Sequence, residues 1–361
     1  MPEIDIAVVG AGLAGAATAW AAARRGRSVA LFEQFGLGHN RGSSHGSARI
    51  FRRAYADPLY VHLTGRAREL WTELEAESGR QLLQVTGGID YGRAREPEKI
   101  ARLLAAAGVD HELLPARAAG ERWPGIAFDG PVLFHPQAGV IDADRAIAAF
   151  LDGAGDAVIS ENTPVVRLEP ESKGVRIVTA EQTFRAGCVV VAAGGWVAGL
   201  LDGLIALPPL RVTQQDVFHF RYADSAAGWP TFVHDTGVTT YGLPGGRDGG
   251  PDGAQKIGEH GPGRVTTAEN RDGTVDPMVR ERMIAYVQRW FPGLVPEPIN
   301  EKTCLYTWTP NEDFIIDRKG PIVVCSPCSG HGAKFAPLIG ELAAGLATGD
   351  GDVPDRFRLP R

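Results

Sequence analysis

Residues 4–33 read Ile4-Asp-Ile-Ala-Val-Val-Gly10-Ala-Gly12-Leu-Ala-Gly15-Ala-Ala-Thr-Ala-Trp-Ala-Ala-Ala-Arg-Arg25-Gly26-Arg-Ser28-Val-Ala-Leu-Phe-Glu33. Asp5 to Val9 is a short run rich in β-branched residues that stops at Gly10. From Leu13 to Arg25 alanine dominates, a strong helix former, and Gly26 stands where a helix C′ residue belongs. Ser28 to Glu33 returns to strand composition. The stretch is therefore a β-α-β unit with Gly10-x-Gly12-x-x-Gly15 at its first turn. Gly10 allows the tight turn, Gly12 lets a pyrophosphate approach the backbone, and Gly15 lets helix and strand pack closely. The helix N-terminus faces the phosphates. Glu33 lies 18 residues beyond Gly15, where a carboxylate can accept hydrogen bonds from ribose hydroxyls. This points to a dinucleotide site. The motif alone does not separate NAD from FAD.

The rest of the composition bounds the answer. A chain of 361 residues suggests two domains. With 44% hydrophobic and 22% charged residues it is ordinary globular material, neither disordered nor fibrous. A net charge of −6 and no long basic block argue against a nucleic-acid partner. Four cysteines (Cys188, Cys304, Cys325 and Cys328) are too few for a disulfide scaffold, so a reducing cytoplasm is expected. Ile4 to Ala23 is apolar but lacks a basic leader, carries Asp5 and is broken by three glycines. Neither a signal peptide nor a membrane anchor is read there, and a soluble protein is expected. Arginine outnumbers lysine 31 to 6, so each lysine departs from a compositional preference.

Two later segments decide the cofactor. One is Arg41-Gly-Ser-Ser-His45-Gly-Ser-Ala-Arg49-Ile-Phe-Arg52. The other is Cys304-Leu-Tyr306-Thr-Trp-Thr-Pro-Asn-Glu-Asp-Phe-Ile-Ile-Asp317, followed by Ser329-Gly-His331-Gly-Ala-Lys334. With Arg122-Trp-Pro-Gly125 and Val189-Val-Val-Ala-Ala-Gly194-Gly-Trp196, the chain resembles the glycine/D-amino-acid oxidase flavoproteins, and among them the monomeric sarcosine oxidase and N-methyltryptophan oxidase branch. The resemblance runs from the first strand to near the C-terminus. It implies FAD and an α/β fold, in which a Rossmann-like FAD domain is interleaved with an α+β substrate domain on a large mixed sheet. Carried over, the FAD domain comprises 1–85, 138–208 and 306–361, and the substrate domain 86–137 and 209–305. The turn-rich Gly245 to Gly253 loop and helix-like stretches between Arg264 and Phe291 fit such a division.

The same resemblance assigns the site. Cys304 matches the position of a thioether to the flavin 8α-methyl; the bland alternative is a buried cysteine acting as a small hydrophobe. Cys325-Ser-Pro-Cys328 spells CxxC, but no second pair provides four zinc ligands and no metal site is expected. Arg52 and Lys334 match the two groups that hold the substrate carboxylate, one as a fork and one as a point charge. Lys256 matches a lysine that activates oxygen, and His260, Tyr241 and Tyr306 match pocket residues. In a strand, residues 256 and 260 share a face. Ser43, Ser44, His45, Arg49, Val165, Gly194, Trp196, Gly330, His331 and Gly332 complete the implied cofactor contacts. For Arg49 a structural salt bridge remains open, for His45 a core histidine, and for both tyrosines simple packing. The Ser329 to Gly332 turn is expected to lead into a helix with Pro337 near its start and Gly349 past its end, whose N-terminus suits the flavin N1/C2 edge.

The implied activity is FAD-dependent oxidation of a secondary α-amino acid (sarcosine, an N-methyl or a cyclic amino acid). A hydride equivalent would pass to flavin N5, giving an imine, and O2 would be reduced to H2O2. A monomer acting on a small amino acid is expected, with no membrane partner. The rivals are a dehydrogenase using a non-oxygen acceptor and a non-catalytic flavin-binding subunit. Ser47, Ala48, Val233 and Trp308 depart from the branch's usual pocket and point to a substrate other than sarcosine itself.

Overall fold

The computed structural model describes residues 4–224, 228–261 and 263–360. Strand β1 (Ile4–Val9), helix α1 (Leu13–Arg24) and strand β2 (Val29–Phe32) form the expected unit, β1 and β2 lying parallel. A Cβ on Gly15 would stand 1.8 Å from the Gly10 carbonyl oxygen, so only glycine lets α1 start so close to the end of β1.

Among the described residues, β1 and β2 belong to an eight-stranded sheet. Its parallel part runs Ile322–Ser326, Thr183–Val191, β1, β2, Val158–Ser160. The antiparallel strands Val165–Glu171 and Gly174–Thr179 extend it, and Ile315–Lys319 forms a hairpin with Ile322–Ser326. Ile6 and Val8 pack into one apolar cluster with α1, Ala143–Gly153 and Ala336–Thr348; Ala7 and Val9 pack into another on the opposite face. A strand buried on both faces needs a continuous apolar run, which is why β1 does not alternate.

The second large sheet has nine strands. Arg211–Tyr222 pairs with Gln255–His260, then follow Thr239–Pro244, Thr231–Asp235, Gly88–Tyr91, Val132–His135 and Glu112–Leu114. Leu294–Trp308 runs antiparallel along Arg211–Tyr222, and Arg264–Val265 pairs at its end. Gly88–Tyr91 and Thr231–Asp235 are parallel, so the sheet is mixed, as expected. Phe218, Phe220 and Ile257 on its outer face pack on Met283, Val287 and Trp290 of the helix Pro277–Trp290. A three-stranded sheet of Arg49–Phe51, Gly139–Ile141 and Leu83–Val85 carries the start of the Arg49 to Arg52 stretch.

The segment after Ser329 passes through a 3-10 turn, Gly332–Phe335, into the helix Ala336–Thr348, which has Pro337 near its start as expected. Gly349 ends it in the left-handed conformation, as read. Of the Arg264 to Phe291 stretch, only Pro277–Trp290 is helical. Among the described residues no helix is long and apolar enough to cross a membrane.

Candidate active site

Strand register decides what the inner face of the nine-stranded sheet presents. Lys256 pairs with His219 and Leu243, Gly258 with Val217 and Tyr241, and His260 with Thr239. On the other side of Arg211–Tyr222, Cys304 pairs with Gln215, Tyr306 with Thr213 and Lys302 with Val217. Paired residues point the same way and alternate along each strand. Lys256, His260, Tyr241, Cys304, Tyr306 and Lys302 therefore share one face, opposite to Phe218 and Ile257. They line a cavity of about 690 Å3. Gly12, Ser43, Ser44, His45, Arg49 and Gly194 line it from the dinucleotide side, and Gly330, His331, Gly332 and Lys334 from the start of the C-terminal helix.

Four cations of this cavity share one property. Among the described residues, no carboxylate lies within 4 Å of Arg49, Arg52, Lys256 or Lys334. Arg49 donates to the carbonyls of Ser43, His45 and Ala48, so it braces the loop it belongs to. The salt-bridge alternative for Arg49 is not what the structure holds. Lys256 Nζ donates to the Ala48 carbonyl at 3.2 Å; burial, with repulsion from Arg49, pushes its pKa down to about 7. Arg52 lies over the Tyr55 ring at 4.2 Å and donates to the Ala54 carbonyl. Lys334 Nζ lies 5.7 Å from the same ring and donates to the His331 carbonyl at 2.9 Å. Burial, with Arg52 adding repulsion, holds Lys334 well below its ordinary range. Buried charge without a partner is costly, so this arrangement is suited to an anion.

The remaining groups are more constrained. Burial pushes the Cys304 thiol pKa up, while Arg49 and Lys256 pull against it. His45 is pushed down to about 3, first by burial and then by Arg49, and its Nε2 is buried with no partner among the described residues. His331 Nε2 donates to the Glu312 carbonyl at 3.0 Å, so the neutral ring accepts at Nδ1 from the Tyr55 hydroxyl at 3.1 Å. Burial pushes Tyr241 up to about 12 and Tyr306 well above its ordinary value.

Some sequence-derived residues lie outside the cavity. Gly10 and Gly15 shape the turn behind it. Glu33 is buried and accepts from the Ala11 N–H at 2.8 Å and the Phe35 N–H at 3.0 Å. Trp196 lines a neighbouring cavity of about 660 Å3, which shares His45 and Lys302 with the first. Val165 lines neither and begins the strand Val165–Glu171. Sequence reasoning missed Tyr55, Arg95 and the Lys302–Asp248 ion pair (2.7 Å). No spacing singles these out, although Lys302 belongs to the scarce lysines.

A family profile described as FAD dependent oxidoreductase matches residues 5–346. The chain belongs to that family. It is 34% identical to monomeric sarcosine oxidase of Streptomyces avermitilis, across 96% of this chain and 94% of the relative. It is 32% identical to N-methyl-L-tryptophan oxidase of Yersinia pestis, across 95% and 94%. The solved structure of NikD, an unusual amino acid oxidase essential for nikkomycin biosynthesis, superposes with a TM-score of 0.89 at 25% identity, covering 99% of this chain and 98% of that one. Membership in the FAD-dependent oxidoreductases decides between the two dinucleotides: the cofactor is FAD, and the protein is a redox enzyme. The residues present fit it. The helix N-terminus at Gly12, the orphaned His45 Nε2 and the unpaired cations offer what phosphates and a polar ring edge require.

Proposed function

We propose that the protein oxidises a secondary α-amino acid with FAD held through Cys304 Sγ, and passes the electrons to O2. The observation that carries the reading is the pair of carboxylate-free cations at the Tyr55 ring, the half-buried Arg52 and the buried Lys334. A substrate carboxylate bridges both, accepting a fork of hydrogen bonds from Arg52 and one from Lys334 Nζ. His260, whose Nε2 lies 3.7 Å from a Glu312 carboxylate oxygen, can hold the proton given up by the substrate ammonium, leaving the neutral amine that oxidation needs. FAD, when bound, supplies the two-electron oxidation of the C–N bond to an imine and the reduction of O2 to H2O2. In that linkage Cys304 Sγ would exchange its Sγ–H bond and one flavin C8α–H bond for Sγ–C8α, the flavin taking up the two electrons and two protons released. Lys256 Nζ places a compact positive charge where oxygen reduction creates a negative one.

Residues 1–85, 138–208 and 306–361 are assigned to the FAD domain, and 86–137 and 209–305 to the substrate domain. The division follows the two large sheets, although the strand Leu294–Trp308 crosses it. A cytoplasmic monomer is the accompanying assignment, in keeping with four free cysteines. The deciding experiment is a peroxide-coupled assay with N-alkyl and cyclic amino acids and their amides. Losing one charge-assisted bond costs roughly 10- to 150-fold in kcat/KM, so amides should be poor substrates. Equal efficiency on acid and amide overturns the clamp; turnover only with an artificial acceptor overturns the oxidase.

A further inference from the structure

The wall beside Arg52 holds a second arginine that this reaction scheme leaves unused. Gly88–Tyr91 pairs with Thr231–Asp235 so that Asp90 stands opposite Val233. Val233 lines the cavity, so Asp90 points from the same face of the sheet. The Asp90 carboxylate, 1% exposed, takes Arg95 Nε at 2.6 Å on one oxygen and His135 Nε2 at 3.2 Å on the other. Burial opposes its charge, but Arg95, His135 and Arg52 keep it ionised. Arg95 Nη2 reaches the Ala54 carbonyl at 3.0 Å, the same oxygen that accepts from Arg52. Among the described residues Arg95 Nη1 has no hydrogen-bond acceptor, and Arg95 lines the cavity.

The turn that delivers Arg95 is strained. Gly92 has φ +97° and Glu96, a non-glycine, φ +53°. A Cβ at position 92 would stand 2.3 Å from the Asp235 carbonyl oxygen. Left-handed backbone at a non-glycine persists where surrounding structure over-determines it, often at ligand sites.

Arg52, Arg95 and Lys334 bring three positive charges to this wall, and Asp90 returns one negative. Of the carboxylates around the cavity, Asp57 and Asp313 are both held by Arg356, and Glu312 lies 3.7 Å from His260 Nε2. Once Arg52 and Lys334 hold one carboxylate, Arg95 still presents a free Nη1 at the cavity wall, and a second carboxylate is the acceptor its fork suits.

We propose that Arg95 is a second anion-binding group of the substrate cavity, and that the preferred substrates are secondary amino acids with a second carboxylate, on the side chain or on the N-substituent. The proposal rests on Arg52 and Lys334 being the clamp for the first carboxylate.

The test is an anaerobic spectral titration of the FAD-loaded protein with acetate, malonate, succinate and glutarate at fixed ionic strength. At least one dicarboxylate should bind ~10-fold or more tighter than acetate, and Arg95→Gln should erase most of that ratio. Because Arg95→Gln strands Asp90, the double variant Asp90→Asn/Arg95→Gln is measured beside it, with retained flavin colour reporting the fold. In turnover, iminodiacetate against sarcosine probes the N-substituent, and N-methyl-aspartate against N-methyl-alanine probes the side chain. Acetate binding with no dicarboxylate advantage, or an advantage that survives in both variants, overturns the proposal and leaves the clamp standing. If no carboxylate perturbs the flavin and no N-alkyl amino acid is oxidised, the clamp itself fails.

Discussion

Lys256 Nζ is a buried amine whose hydrogen-bond acceptor is the Ala48 carbonyl, 3.2 Å away. Its pKa, pushed from 10.5 down to about 7, sits where protonation changes near neutrality. Unfolded chains bind this proton below about 10.5 while the folded one waits until about 7. The unfolded state thus holds more protons between those values, and stability rises with pH across that window. Reactivity runs the other way. In the proposed role the ammonium form assists oxygen reduction, so reoxidation by O2 should slow as pH rises through the Lys256 pKa, and this pH dependence should vanish in Lys256→Met. Stopped-flow on that variant should show anaerobic reduction by substrate within about an order of magnitude of wild type, with reoxidation down ~10²–10³-fold, the cost of losing one preorganised donor. Unchanged reoxidation removes Lys256 from the mechanism and favours a dehydrogenase. Cys304 makes a simpler test: flavin should remain with acid-precipitated wild type and be released from Cys304→Ala. Colour washed out of the wild type ends the covalent assignment.

Elements differ in how openly the sequence displays them. β1, α1 and β2 were legible because each carries its own signal: a β-branched run, an alanine helix and glycines at fixed offsets. Gly15 is the strictest of these, with no room for a methyl group against the Gly10 carbonyl. Gly15→Ala should therefore push α1 away from β1 and lose FAD, read as a colourless or unfolded product; normal flavin content in a stable Ala variant would show that the turn yields. Lys256 and His260 were placed on one face by their spacing alone. Tyr241, Cys304 and Tyr306 join them only through the register of three strands far apart in the chain, and the motifs named them without showing why. Asp90 and Arg95 had no signal: a carboxylate in a short strand and an arginine in a turn are ordinary until pairing and φ angles are known. The C-terminal helix lies where Pro337 and Gly349 place it, while the 3-10 turn Gly332–Phe335 that leads into it carries no separate signal in the sequence.

At the scale of the whole molecule, the cavity gathers side chains from both large sheets and from the start of the C-terminal helix, so an occupant ties them together. Occupancy of one site at 100 times its Kd adds about 2.7 kcal/mol to stability. For a protein of this size that should appear as a rise of several degrees in the Tm of the holoprotein with acetate, and not with acetamide. The counterpart is what the empty site costs. Lys334 is 5% exposed and has no carboxylate partner among the described residues, and its neighbour Arg52 repels it. Methionine has similar length and no charge, so Lys334→Met exchanges one hydrogen bond to the His331 carbonyl for relief of a buried cation. The bond is worth about 1 kcal/mol net, while replacing buried ionic groups by apolar ones of similar volume is often neutral or stabilising by ~1–4 kcal/mol. The ligand-free holoprotein carrying Lys334→Met should therefore melt at the same temperature as wild type or a few degrees higher, and its Tm should no longer respond to acetate. A function-bearing charge held at the expense of stability predicts both changes together. A variant that melts several degrees lower and still responds to acetate would make Lys334 a structural residue and leave Arg52 to hold the carboxylate alone.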